Sequence, residues 1–203
     1  MSFRFAIGQD SHAFETRPEK LFEKPLILGG VVFEGCPCLV ANSDGDVMLH
    51  ALTNAVSGIT CRNILGSVAD EMLKAGTDDS AEYLKAALAD LSSMGGRIVN
   101  ISFSVEAQRP KFLPRIGELR ASVAEICGIE PCRVGVTATS GEGLSDFGRG
   151  LGIMVFCSVA AEFPESQGLP ENQGLPENQG FPESRGSAQD PGSTEADLCD
   201  PDR

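Results

Sequence analysis

The chain has only two histidines, and both stand beside acids: Gln9-Asp10-Ser11-His12, and Asn42-Ser43-Asp44-Gly45-Asp46-Val47-Met48-Leu49-His50. Residues two apart in a strand share a face, so Asp10 and His12 project together if the first segment is extended. A third ligand from a nearby helix completes a three-ligand site. Two imidazole nitrogens and one carboxylate oxygen, with a fourth position open, is a ligand set of catalytic zinc. The plainer alternative is two ordinary histidines, half-buried and hydrogen-bonded. Local sequence leaves both open.

The flanking patterns supply the elements that would carry these groups. Phe3, Phe5 and Ile7 alternate with Arg4, Ala6 and Gly8, so residues 3–9 read as a half-buried strand. Leu26–Leu28 and Val31–Phe33, split by Gly29-Gly30, suggest a hairpin. Ser43, Asp44 or Asp46 can cap a helix whose stripe is Met48, Leu52, Ala55, Val56 and Ile59, which places His50 on a helix. Cys61 to Gly76 reads as a loop with a short helical turn. A helix over 79–94 buries Leu84, Ala87, Leu88 and Leu91 and ends at Gly95-Gly96. Val99, Ile101, Phe103, Val105 and Ala107 mark the clearest strand. A rigid turn, Arg109–Pro114, leads into a helix striped by Ile116, Leu119, Val123 and Ile126 and stopped by Gly128. Val134, Val136 and Ala138 mark another strand. After the Gly-rich loop 140–152, the apolar run 153–161 reads as a strand buried on both faces. Strands alternating with helices give an α/β or α+β domain.

A chain of 203 residues accommodates one domain of about 150 residues and an additional segment. The net charge of −13 is uneven: residues 163–203 hold nine acids against two arginines, leaving −6 on the body. No basic footprint for nucleic acid is present, and no apolar run is long enough to span a bilayer. With no charged-then-apolar leader, a cytoplasmic protein is expected. Seven scattered cysteines without C-x-x-C spacing point to reduced thiols, Cys36 and Cys38 forming a buried pair at a strand end. Four hexads of one pattern begin at Phe163, Leu169, Leu175 and Phe181, each with Pro-Glu and a closing Gly. One apolar residue per unit cannot offset the entropy of ordering, and the Pro-Glu pair is unsuited to the ladders of a β-helix. Residues 1–162 are thus expected as the folded domain and 163–203 as a disordered acidic tail.

Four separated blocks, in order over residues 3–161, resemble the 2-C-methyl-D-erythritol 2,4-cyclodiphosphate synthase family. Asp10-Ser11-His12 resembles its D-x-H pair, and Ser43-Asp44-Gly45-Asp46-Val47 through Leu49-His50-Ala51-Leu52 its S-D-G-D-V…L-H-A-L segment. Residues 107–114, Ala-Gln-Arg-Pro-Lys-Phe-Leu-Pro, resemble its nucleotide loop. Ala138-Thr139-Ser140-Gly141-Glu142 and Gly148-Arg149-Gly150 resemble its A-T-T-T-E and G-R-G.

The resemblance implies an α+β fold, a single mixed-sheet domain with helices on one face, assembling as a homotrimer with its active sites between subunits. It implies a lyase that cyclises a cytidine diphospho-methylerythritol 2-phosphate and releases CMP. Zinc or another divalent cation would sit on Asp10, His12 and His50, and Glu142 would help hold Mg²⁺ or Mn²⁺ on the substrate diphosphate. Ser11, Ser43 and Arg149 would contact substrate. Ala107, Pro110, Lys111, Phe112 and Leu113 would take the cytidine; Thr139 and Ser140 would donate near the α-phosphate, Ser140 in a catalytic role. A phosphate nucleophile is already largely ionised at neutral pH, so no imidazole base is needed once both histidines are ligands.

This chain also departs from the family. Asn42 takes the catalytic place where the family commonly has a His that stabilises the transition state; it can donate to a phosphate oxygen but carries no charge. The family's D-I-G ribose contact falls on Ile64-Leu65-Gly66, with Asn63 as a stand-in if the loop shifts. Asp70 and Glu71 are the nearest acids to its unrecognised F-P-D-T-D segment. Taken outside the resemblance, Lys111 and Arg149 read as surface cations, Glu142 as one acid of a loop, and Asp46 as a helix-terminal charge. Two rivals follow: a zinc phosphohydrolase with water as nucleophile, and a non-catalytic metal-binding trimer.

Overall fold

A computed structural model describes residues 1–165; the Pro-Glu hexads expected as a disordered tail lie almost wholly outside the described residues. In chain order the elements are β1 (Ser2–Ala13), β2 (Leu26–Leu28), β3 (Val31–Phe33), α1 (Val47–Thr60), α2 (Ser67–Lys74), α3 (Ser80–Ser93), β4 (Arg97–Glu106), α4 (Ile116–Cys127), β5 (Val134–Thr139) and β6 (Gly152–Phe163). The main sheet runs β1-β6-β4-β5; β6 is antiparallel to both neighbours and β4 is parallel to β5. It is therefore mixed, as expected. Strands β1, β4 and β5 point the same way, so their carboxyl ends share one end of the sheet. The β2–β3 hairpin stands apart as its own small sheet.

Helix α1 lies across β1 and β6, α3 packs on α1, and α4 packs on β5. Beneath them Ile101, Phe103, Val105, Ile153, Val155, Cys157 and Val159 are buried. Among the described residues nothing covers the opposite face. Phe5 and Ile7 are 75% and 73% exposed there, and Phe156 of β6 is exposed too. Two sequence expectations are corrected by this. Strand β6 is buried on one face, not both. In β1 the alternation holds but its sense is inverted: Arg4, Ala6 and Gly8, not the large apolar residues, face α1.

Close backbone approach explains the inversion. A Cβ on Gly8 would stand 2.1 Å from the Ala51 carbonyl oxygen and 2.3 Å from the Ala55 nitrogen. Small residues on this face let α1 lie directly on the strand that carries Asp10 and His12.

Asp46 fixes where α1 begins. Its buried carboxylate accepts from Met48 N and Leu49 N at the helix start, and from Gly29 N (2.8 Å) and Gly30 N (2.7 Å) in the β2–β3 turn. Both glycines have positive φ, as a two-residue hairpin turn of this hand requires. One side chain thus caps the helix and anchors the hairpin. Burial pushes its pKa up, and the backbone N–H donors oppose that shift.

Other differences are local. A bulge between Ile98 and Asn100 of β4 puts Ile98 on the buried face in place of Val99. The stretch 61–76, expected as a loop with a short helical turn, contains the helix α2, half-buried through Val68, Ala69 and Met72. The six described cysteines are free; Cys38 is buried and Cys36 half-buried.

Candidate active site

Asp10 and His12 share the inner face of β1 near its carboxyl end, and His50 reaches them from the first turns of α1. Asp10 Oδ2 is 3.1 Å from His12 Nε2 and 2.9 Å from His50 Nδ1, and the two nitrogens are 3.2 Å apart. The three donors make a nearly equilateral triangle. A tetrahedral ion with bonds of about 2.0–2.1 Å separates its ligand atoms by about 3.3 Å, so the observed edges suit it closely. Among the described residues this is the only group of three or more His, Cys, Asp or Glu side chains so arranged. Burial alone would raise the Asp10 pKa, but hydrogen bonds from His12 and His50 and their charge hold it well below the usual carboxylate range. The carboxylate is therefore ionised, as a metal ligand must be.

Behind the triangle lies a support that sequence reasoning missed. His50 Nε2 is 2.9 Å from Ser80 Oγ and 3.4 Å from Ser43 Oγ. The Ser80 hydroxyl donates to Asp44 Oδ1, and the Ser80 amide donates to Asp44 Oδ2 at 3.2 Å. Neutral His50 with its Nε2 proton turned to Ser80 leaves Nδ1 free to ligate, so this chain of bonds selects the ligating tautomer. From the sequence only a helix beginning near Asp79 is expected, with no role for Ser80. Asp79 alone does the capping, through Ala81 N, and frees Ser80 for His50.

The triangle lines an open cleft of about 760 Å³ together with Asn42, Ser43, Leu65, Asp70 and Tyr83. Lys24 shapes its rim by donating to the carbonyls of Ala41 (3.0 Å) and Ser43 (2.5 Å). Of the expected ribose segment, Leu65 reaches the cleft, while Gly66 starts α2 with a positive φ. Ser11 alternates out of the triad's face and is exposed.

A second cleft gathers Ala107, Pro110, Lys111, Phe112, Leu113, Thr139 and Ser140, all singled out from sequence. Phe112 belongs to the core: it is buried and packs on Phe33 at 5.9 Å between ring centroids. Leu113 is 83% exposed. Among the described residues that line the two clefts, Glu142 and Arg149 do not appear. Arg149 is paired with Asp146 at 2.6 Å and donates to the carbonyls of Gly143 and Leu144.

The sheet register relates the two clefts. Asp10 is paired with Val155, Val155 with Val105, and Val105 with Ala138, so one row of the sheet runs from the triad to the second cleft. Three strand spacings of about 4.8 Å separate its ends by about 14 Å. The clefts lie at the same end of the sheet but at opposite edges.

Fold and site together define a class: a mixed-sheet α+β protein with an Asp-His-His group, arranged as a metal ion's ligands would be, at the carboxyl end of an edge strand. The chain belongs to the YgbB family, whose model matches residues 3–162. A curated relative from Chlamydia muridarum (strain MoPn / Nigg), named 2-C-methyl-D-erythritol 2,4-cyclodiphosphate synthase, is 49% identical over 156 residues, covering 76% of this chain and 85% of its own. The solved structure of the bifunctional IspDF from Campylobacter jejuni is 30% identical with a TM-score of 0.72, over 80% of this chain and 43% of that one. A structure of 2C-methyl-D-erythritol-2,4-cyclodiphosphate synthase is 26% identical with a TM-score of 0.66, over 78% of this chain and 100% of that one. The family expected from the four motif blocks is the family found.

Proposed function

We propose that the chain converts 4-diphosphocytidyl-2-C-methyl-D-erythritol 2-phosphate into 2-C-methyl-D-erythritol 2,4-cyclodiphosphate and CMP, a phosphorus–oxygen lyase step of non-mevalonate isoprenoid precursor synthesis. The observation that carries this is the Asp10–His12–His50 triangle, present in a chain that spans most of the length of synthases bearing that name. Zinc held there would supply Lewis-acid polarisation of a phosphate oxygen and an open coordination position.

The residues around the triangle fit an intramolecular displacement. With His12 and His50 as ligands no imidazole remains for general-base work, and an ionised 2-phosphate needs none. What two converging phosphates require is orientation and neutralisation. Asn42 and Ser43 offer an amide and a hydroxyl at the cleft wall. Residues 107–113 give the cytidine a half-apolar slot, with Thr139 and Ser140 as hydroxyl donors beside it. Glu142 is read as the oxygen ligand for Mg²⁺ or Mn²⁺ on the diphosphate, and Arg149 as a phosphate contact once its pairing with Asp146 is exchanged.

We read the assembly as a homotrimer. Two observations support it: the halves of the site sit about 14 Å apart at opposite sheet edges, and the sheet face bearing Phe3, Phe5 and Ile7 is uncovered. Association that sets the β1 edge of one protomer against the residue 107–113 loop of another would join the clefts and bury that face. We take residues 1–162 as the catalytic body and the location as cytoplasmic; no helix among the described residues is long and apolar enough to cross a membrane.

The test is phosphorus NMR of purified protein with the substrate, Zn²⁺ and Mg²⁺, beside His50→Ala. A cyclic diphosphate with CMP, absent in the variant, is expected. Free inorganic phosphate would instead mark a hydrolase, and no turnover by a folded, zinc-loaded protein a binding role. Sedimentation at micromolar concentration should give a trimer.

A further inference from the structure

Positive charge in the triad cleft is scarce. It holds Asp10 and Asp70, position 42 is the neutral Asn42, and Lys24 turns its ammonium to backbone carbonyls. Arg17 is the one lysine or arginine among the described residues that line it.

Arg17 is held rather than free. Its Nε donates to Glu15 Oε1 at 2.9 Å and its Nη2 to Glu15 Oε2, a side-on paired contact. Glu15 Oε1 also accepts from the backbone N–H groups of Thr16 (2.9 Å) and Arg17 (3.0 Å). The backbone of this segment is tied in turn: Glu15 N donates to the Cys38 carbonyl at 2.8 Å and Phe14 N to that of Leu151 at 2.9 Å. Glu15 is 7% exposed, whereas the Arg17 side chain is 55% exposed. The pair is nearly neutral in total but polar in placement: the carboxylate is turned inward and the guanidinium outward. Nη1 has no partner among the described residues, so the cleft meets oriented N–H donors whose entropy of ordering is already met by Glu15. That is the preorganisation that makes arginine suited to planar recognition of phosphate oxygens.

We infer that Arg17 is a phosphate-binding residue of this site, supplying from the β1–β2 connection the positive charge that position 42 does not provide. Glu15 acts through it as a positioning residue. The inference rests on the cyclisation reading only for which phosphate is bound: the two candidates there are the 2-phosphate and the β-phosphate, which converge over the triad. A phosphate group is the ligand chemistry in either case.

The experiment is calorimetric titration of the full zinc-loaded chain with inorganic phosphate, beside Arg17→Gln and Arg17→Lys, followed by steady-state kinetics. Arg17→Gln should weaken phosphate binding and lower kcat/KM by about tenfold or more, the loss of one charge-assisted contact. Zinc content should stay at the wild-type value, melting temperature should fall modestly because Glu15 loses its guanidinium partner, and Arg17→Lys should recover part of the loss. Asn42→His in the Arg17→Gln background should also recover part of it. Unchanged phosphate affinity in Arg17→Gln overturns the inference, as does a loss that accompanies lost zinc and is not eased by lysine. If wild-type protein binds phosphate through Arg17 yet forms no cyclic diphosphate, the cyclisation reading fails and the Arg17 site stands.

Discussion

His50 Nε2 and the hydroxyl of Ser80 lie 2.9 Å apart, joining helices α1 and α3 at the back of the Asp10–His12–His50 triangle. Ser80 passes the contact on to Asp44, so one ligand is oriented by a buried hydroxyl and a carboxylate in series. Ser80→Ala should therefore lower zinc affinity by about 10–100-fold, the usual effect of losing a ligand's supporting bond. Competition with a chromophoric chelator measures this directly. An affinity equal to wild type would show that Ser80 only fills space.

Gly8 sits where β1 and α1 touch through their backbones. Gly8→Ala puts a methyl within 2.1 Å of the Ala51 carbonyl, an atom that cannot swing aside. The strand must lift from the helix, at a cost of about 3 kcal/mol or more. Because Asp10 and His12 ride on that strand, zinc affinity should fall with stability. Urea unfolding together with zinc titration tests the pairing.

Asp46 is a structural carboxylate although it is one of the two acids of the Ser43–Val47 motif. Asp46→Ala leaves the amides of Gly29, Gly30, Met48 and Leu49 without their acceptor. Loss of about 3 kcal/mol or more is expected from the buried donors and the missing cap. Thermal unfolding should show it, and zinc bound by the protein that remains folded should keep its affinity.

Glu15 gives a pH signature. Its hydrogen bonds with Arg17 hold its pKa near 2, below the ordinary 4.5. A depressed folded-state pKa contributes stability that is fully present above about 4.5 and is lost as pH falls through about 2. Acid unfolding of wild-type protein should steepen in that window, and Glu15→Gln should flatten it. Curves that superimpose over this range would show that the pair contributes nothing to stability.

Much of the fold was legible because patterns are local. The stripes on α1, α3 and α4, the Gly29-Gly30 turn and the alternation along β4 depend on neighbours within a few residues. So did Asp10 and His12, which share a face by the two-residue repeat of a strand. What failed was the sense of burial: Phe3, Phe5 and Ile7 read as the inner face, yet the outer face is apolar too. Hydrophobic alternation cannot distinguish a face covered by the chain's own helix from one left for another surface.

The sequence by itself determined the ligand types, the elements carrying them and, through four ordered motif blocks, the family. Tertiary structure alone decided that His50 meets Asp10 and His12 in one triangle, that Ser80 and Asp44 stand behind it, and that Arg17 enters the same cleft. It also placed the residue 107–113 loop at the far edge of the sheet. Each of these is a distance between residues far apart along the chain, set by helix packing and strand order, to which local periodicity is blind.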